Sequence, residues 1–341
     1  MERKLASVRR ISDIQEIPGA DMIELAIVDG WKVVVAKNVG HKINDLVVYC
    51  EIDSFLPIRE EFEFLRKSSF KKMGDQEGFR LKTIRLRGQV SQGLILPMSV
   101  LYDNRGLSAF DELTVGDDVT SILGIVKYEP PIPAELAGKV KGLFPYFIRK
   151  TDEERIQNLA SEYDEMKKHT YYVTEKLDGS SATFYFNNGE FGVCSRNLEL
   201  LETEGNTFWK VARELDLENK MREYGINLSV QGELIGEGIQ GNPYKIKGQT
   251  VRFFNLFDID VQMYSSLPVF KETMRVLRLE TVPVLDTHFH LPDTIDELLL
   301  MADDKSELNP NFDREGIVIR SLDRKISFKV ISNKFLLKNE Y

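Results

Sequence analysis

Three prolines within four residues, Pro130, Pro131 and Pro133 in the stretch YEPPIPAEL, divide this chain. Proline fixes φ and removes a backbone donor, so neither a helix interior nor a central strand runs through such a stretch. Residues 129–147 therefore read as an extended, stiff connector between two separate cores. A chain of 341 residues is long enough to build both.

The part before the connector, residues 1–128, is rich in strand patterns. IELAIVDGWKVVVA is two apolar runs around Asp29-Gly30, a hairpin signal. DLVVYCEI and FRLKTIRLRG continue the pattern, and Gly88 and Gly93 punctuate it before LILP. Several short strands separated by turns predict a small β-barrel of OB-like type. Residues 66–87 hold eight cations, among them Lys71, Lys72, Arg85 and Arg87, against only Asp75 and Glu77. On a chain of net charge −9, that concentration predicts a polyanion-facing patch on an acidic body.

The part after the connector, residues 148–341, mixes helical and strand patterns. TDEERIQNLASEYDEMKKH opens with Thr151 and Glu154 at capping-box spacing and closes on basic residues, as a helix would. Further helices are expected around 206–223 and 267–279, with a final strand pair near 316–330. No apolar run reaches the ~18 residues of a membrane span, and the N-terminus has no signal-peptide core. Cys50 and Cys194 are too few for a disulfide framework or a zinc site. The expectation is an intracellular, cytoplasmic protein with two buried thiols.

Acids and bases recur at strand ends along this second part. TEKLDGSS places Lys176 and Asp178 before a turn at Gly179. Two residues apart on a strand they share a face, which suits a salt bridge or a nucleophile beside a metal-ligating acid. CSRN places Arg196 and Asn197 after a strand, and GELIGEGIQGN places Glu233 before a glycine-rich loop. FFNLFDI carries Phe254 and Phe257, REGIVIRS carries Glu315 and Val318, and ISFKVIS carries Lys329. Any one of these has a plain structural explanation. Together they describe a cleft that collects carboxylates, cations and one aromatic ring.

In this order the motifs resemble the covalent nucleotidyltransferases, which include ATP-dependent DNA and RNA ligases and mRNA-capping enzymes. GEGIQGN and FNLFDI look specifically like RNA ligases. The β-rich domain in front, with LASVRRISDI, ELAIVDGW and RLRGQVSQGLILP, is similar to the Naegleria-type RNA ligases. The resemblance implies an α+β chain: an N-terminal OB-like barrel, then an ATP-grasp-like ligase domain of antiparallel sheets with flanking helices.

It also implies roles. Lys176 would be the nucleophile that takes AMP from ATP. Asp178, Glu233 and Glu315 would hold Mg²⁺ or Mn²⁺, and Lys329 would clamp the α-phosphate. Glu175, Lys176, Leu177, Arg196, Asn197, Glu233, Phe254, Val318 and Lys329 would form the nucleotide site, with Phe254 and Val318 on either side of the adenine. The substrate would be RNA with 3′-OH and 5′-phosphate ends in a nicked duplex, sealed by a monomer in RNA repair. A GTP-using capping-type guanylyltransferase and a non-catalytic RNA-end-binding protein are the alternatives. The chain departs from the family at one point. The last motif is usually Lys-x-Lys, and here it reads Ser327-Phe328-Lys329, with Lys325 or Lys334 as the candidates to supply the missing charge.

Overall fold

The computed structural model describes residues 4–101, 113–129 and 139–338. Pro130, Pro131 and Pro133 lie outside the described residues. The chain divides into two compact units. One comprises Met1–Ile132, Ile156–Glu162 and Leu336–Tyr341; the other comprises Pro133–Arg155 and Tyr163–Phe335. No helix among the described residues is long and apolar enough to cross a membrane.

In the first unit, the hairpin read from Asp29-Gly30 forms between Ile23–Val28 and Trp31–Ala36. The long strand Ala6–Glu16 pairs with Ile23–Val28 on one side and Leu46–Cys50 on the other, and Leu94–Pro97 completes a five-stranded sheet. A register shift between Ile11 and Asp13 marks where the long strand passes from one partner to the other, the bend a barrel needs. Two apolar clusters fill the unit, one around Val8, Val48, Leu56 and Phe79, the other around Trp31, Val33 and Tyr49. FRLKTIRLRG does not make one strand. It supplies the end of Gln76–Arg80 and then Thr83–Leu86, which folds back on Gln89–Gln92.

The helix expected over 151–169 does not form. Glu154–Arg155 is a short strand parallel to Ser327–Ile331, and Ile156–Leu159 is a 3-10 turn; helix is confined to Tyr163–Met166. Tertiary bonds override the local capping signal. Gly30 N–H donates to the Gln157 carbonyl (3.1 Å), and the Trp31 indole N–H donates to Asn158 Oδ1 (2.6 Å). Asn158 in turn donates to Glu51 (2.5 Å). A Cβ at position 30 would lie 2.9 Å from the Gln157 Cα, so the glycine is what admits this segment.

The second unit is built on two sheets. One has seven strands and is centred on Ser180–Asn187, Leu228–Gly236 and Gln249–Asp258. Its edge includes Val140–Leu143, residues that the proline-rich reading had placed in the connector. Helices Thr207–Glu214, Leu217–Tyr224 and Leu267–Leu277 pack on one face, through Phe184, Phe186, Val230 and Phe253. The helix expected over 206–223 is thus two helices. Asn206 caps the first, accepting from the Phe208 and Trp209 N–H groups, and Asp216 breaks the run with φ of 54°. The other sheet has five strands, in the order Glu154–Arg155, Ser327–Ile331, Gly316–Ser321, Tyr171–Lys176 and Val284–Phe289.

Candidate active site

Strand register decides which side chains meet. Residues directly opposite in an antiparallel pair point to the same side. In the five-stranded sheet, Lys176 lies opposite Gly316, Thr174 opposite Val318, and Tyr172 opposite Arg320. Val318 lies opposite Lys329, and Arg320 opposite Ser327. Lys176, Val318, Arg320, Ser327 and Lys329 therefore share one face. In the seven-stranded sheet, Ser181 and Arg252 flank Glu233, and Gln231 lies opposite Asn255. That is the face away from the helices.

Two glycines let the backbones close up. A Cβ on Gly179 would sit 2.4 Å from the Leu234 carbonyl oxygen and 2.9 Å from Glu233 Cγ. A Cβ on Gly316 would sit 2.2 Å from the Val330 carbonyl oxygen. The Lys-Leu-Asp-Gly turn is thereby held against the strand that carries Glu233.

The Lys176 side chain is only 27% exposed, and the partner of its ammonium is Glu315 rather than the neighbouring Asp178: Nζ donates to Oε2 at 2.7 Å. The strand ends at Lys176, so Asp178 enters the following turn, where its backbone N–H donates to the Tyr244 hydroxyl (2.6 Å). Burial works to remove the Lys176 proton, but Glu315, Glu233 and Asp178 outweigh it and hold the amine above its ordinary range. The acids show the same crowding. Burial first, then Glu315 and Asp178, push Glu233 up to about 8 against the pull of Lys176 and Arg196. Burial and Glu315 push Asp178 up to about 7.

Three carboxylates repelling one another around one amine are a donor set for a hard divalent cation. Among the described residues, no three acids or other metal-ligating side chains converge closely enough to chelate an ion directly. The set fits an ion held through its own water shell.

This crowding has a measurable consequence. Free carboxyls titrate near pH ~4. At Asp178 and Glu233 the folded protein therefore binds more protons than the unfolded chain between about pH 4 and pH 8, and the contribution of these two groups to stability falls as pH rises through that window. Chelator-treated protein should melt lower at about pH 8 than at about pH 5.5, and Glu233→Gln should flatten that slope. An identical slope in the variant would mean that Glu233 is not one of the acids held protonated.

Cations line the remainder of the face. Asp152 bridges two of them: Oδ2 to Arg196 Nη2 and Oδ1 to Lys329 Nζ, each at 3.3 Å. Glu153 accepts from Ser327 Oγ (2.5 Å) and pairs with the buried Arg320 (3.2 Å). Arg320 also donates to Thr174 Oγ1 (3.2 Å) and lies 5.8 Å from the centre of the Phe254 ring. Ser327, where a second lysine was expected, is thus tied to an acid. Ile331 shares the strand face with Ser327 and Lys329 and is buried, so neither flank of Lys329 carries a second cation.

Phe254 is the extra residue of a bulge. Gln231 pairs with Asn255 and Gly232 with Phe253, so Phe254 has no opposite number. Bulges re-aim a side chain, and the Phe254 ring packs against the cluster of Leu177, Ile235, Tyr244 and Val282. Phe257, three residues on, is wholly buried. Asn197 accepts from Lys150 Nζ (3.3 Å).

Glu175 differs from the expectation. It alternates to the opposite face from Lys176, where its carboxylate is buried and accepts from the Glu307 N–H (2.9 Å). The sequence reading missed Tyr244, Asp152, Glu153 and Arg320. Arg320 alone had a signal, since it stands two residues beyond Val318 on the same strand.

A half-buried lysine at a strand end, acids from a neighbouring turn, strand start and second sheet, and the cations Arg196, Arg320 and Lys329 define a nucleotidyltransferase-type site. The RNA ligase family model matches residues 169–335, and an OB-fold domain model matches residues 5–98. No curated protein sequence matches the chain. Among solved structures, an apo mutant of the Naegleria gruberi RNA ligase is 44% identical with a TM-score of 0.91, covering 98% of this chain and 97% of that one. Mutants of the same ligase with ATP and Mn, and with AMP and Mn, each match at 44% identity and a TM-score of 0.90, covering 98% of both chains. The chain belongs to the RNA ligase family, with an N-terminal OB-fold domain.

Proposed function

We propose that this protein is an ATP-dependent RNA ligase that joins 3′-OH and 5′-phosphate ends in RNA repair, through an AMP carried on Lys176. The observation that carries the proposal is the 2.7 Å contact of the Lys176 amine with Glu315, within the electrostatic reach of Glu233 and Asp178. An amine that only stabilised the fold would need one counter-ion. Three acids around one lysine make sense when a cation joins them.

A bound Mg²⁺ or Mn²⁺ would offset the three carboxylates, let the amine lose its proton, and balance charge on the α-phosphate. Asp178, Glu233 and Glu315 are the residues that would hold it. Glu315 orients the Lys176 nitrogen. That nitrogen attacks the α-phosphorus, and pyrophosphate leaves. Lys329 and Arg196 exchange Asp152 for phosphate oxygens, as charge-assisted donors aimed at the growing negative charge. AMP then passes to the RNA 5′-phosphate. The RNA 3′-OH displaces it, forming the phosphodiester. Phe254 offers its ring to the adenine, with Val318 opposite and Leu177 beneath. The relatives solved with ATP and with AMP favour ATP over GTP as the donor.

The reading extends to a monomer acting on nicked duplex RNA. Labelled ATP, with labelled GTP as a control and no nucleic acid present, tests it. A covalent adenylate is the expected product. A guanylate would favour a capping-type enzyme, and no covalent product would leave a binding protein.

The basic segment of the OB-fold domain would serve the first step. Several of its cations are paired locally: Arg66 with Glu63 (2.6 Å), Lys72 with Glu77 (2.7 Å) and Arg80 with Asp53 (3.5 Å). Arg85 and Arg87 are exposed, at the tip of the Thr83–Leu86 hairpin. Arg87 holds a φ of 49° beside Gly88 at 82°, in a two-residue turn where Asn or Gly is usual. Changing both arginines to alanine should slow adenylylation by ATP about tenfold or more. Sealing of pre-adenylylated RNA, which releases no pyrophosphate, should fall less. Equal losses would assign the hairpin to RNA instead.

A further inference from the structure

The two most exposed large apolar side chains among the described residues are Tyr146, at 97%, and Leu143, at 82%. Both lie in one short stretch, KVKGLFPYFIRK, residues 139–150. It holds four cations, three aromatic rings and no acid, on a chain of net charge −9. Basic residues interleaved with aromatics are the composition of a surface that tracks a nucleic-acid strand. The geometry points to this segment as an RNA platform: Tyr146 stacks on a base near the reacting end, and Lys150, at the same turn, meets the adjoining phosphate. The inference rests on the RNA-ligase reading above and specifies where that substrate lies.

Tyr146 is not a floppy surface residue. Its turn is pinned on both sides. The Phe144 N–H donates to the Asn197 carbonyl (3.0 Å), and the Ile148 N–H donates to the Pro145 carbonyl (3.3 Å). Gln262 donates to the Phe147 carbonyl (2.9 Å), and the Arg149 carbonyl accepts from Gln231 (2.7 Å). Ile148 is buried, and the Phe147 ring meets Tyr185 edge-on at 5.3 Å. A fixed backbone thus presents an exposed ring whose ordering cost is already met, which is what a stacking surface requires. The Tyr146 ring meets the Phe147 ring edge-on at 5.6 Å and still stays 97% exposed.

Continuity with the site sets the location. Asn197, which anchors the turn, follows Arg196, and Arg196 shares Asp152 with Lys329. Two residues of chain from Phe144 to Tyr146 span at most about 7 Å. Lys150 lies over the Phe144 ring (5.8 Å) and reaches Asn197. Lys141 is committed to Glu199 at 2.8 Å and takes no part. A protein partner would favour a continuous apolar patch, whereas here cations flank the exposed ring.

The test uses the full-length protein, labelled ATP and a nicked RNA duplex bearing a 5′-phosphate. Tyr146→Ala should form the Lys176 adenylate at the wild-type rate, which also shows that it folds. Its KM for RNA should rise about tenfold, the weight of one base–aromatic stack, with recovery in Tyr146→Trp and none in Tyr146→Leu. Lys150→Ala should lower the slope of log affinity against log salt by close to one. Unchanged RNA affinity and sealing in Tyr146→Ala, with adenylylation intact, would overturn the platform while leaving the ligase reading standing. Equal recovery by leucine would overturn it too, since that would indicate plain apolar contact. A wild-type protein that forms no adenylate would remove the underlying reading and the platform with it.

Discussion

Lys176→Met is expected to form no covalent adenylate with ATP under any divalent cation, while still sealing pre-adenylylated RNA at a measurable rate. The substitution keeps the length of the side chain and removes only the amine, so the strand ending at residue 176 should persist. Its effect on step one is expected to be all-or-none. The other primary amine on that face, Lys329, lies on another strand with its nitrogen 3.3 Å from Asp152. The two activities separate the explanations. Loss of both would mean that the site had collapsed once Glu315 lost its partner. Undiminished labelling would mean that the nucleophile is elsewhere. Removing the amine also leaves Glu315, Glu233 and Asp178 without their central cation. The variant should therefore need more divalent metal than wild type to reach its full melting temperature.

Glu233→Ala should cost adenylylation at least ~10²-fold, as loss of a preorganised electrostatic contact does. Asp178→Ala should do likewise. Both acids are held above their ordinary range by burial first and then by Glu315, so each is poised to give up its proton to an incoming cation. The deficit should shrink as Mn²⁺ is raised, since the remaining carboxylates still form a weaker site. Near-normal rates in both variants at low Mn²⁺ would show that the cation is held by other groups. Glu233→Gln separates charge from shape. It keeps the packing over Gly179, so a defect as deep as that of alanine would assign the loss to the carboxylate charge.

The sequence made the strand-end residues legible because each sits at a punctuation mark. Lys176 precedes Gly179, Glu315 precedes Gly316, and Arg196 follows a strand that closes at Cys194. What it could not carry was register. Pairing across strands puts Lys329 beside Val318, and no spacing within a strand states who the neighbour is. The bulge that aims Phe254 is invisible for the same reason, since an extra residue shows only against a partner strand. The 151–169 helix failed because its signals were local and its bonds were not: Asn158 is fixed by Trp31, over a hundred residues away. The acids Asp152 and Glu153 were read as a helix start and turned out to hold the site cations. Ion pairs between distant segments leave no periodic trace in a single sequence.

The central claim is that one particular amine carries the nucleotide, and peptide mapping addresses it directly. Wild-type protein is incubated with ATP and Mn²⁺ without RNA, quenched, digested and analysed by mass spectrometry. The account predicts a single modified peptide spanning the TEKLDGSS sequence, heavier by one AMP, with the phosphoramidate on Lys176 and sensitive to acid. AMP on any other residue, or an unmodified Lys176 peptide with ATP left intact, would contradict it.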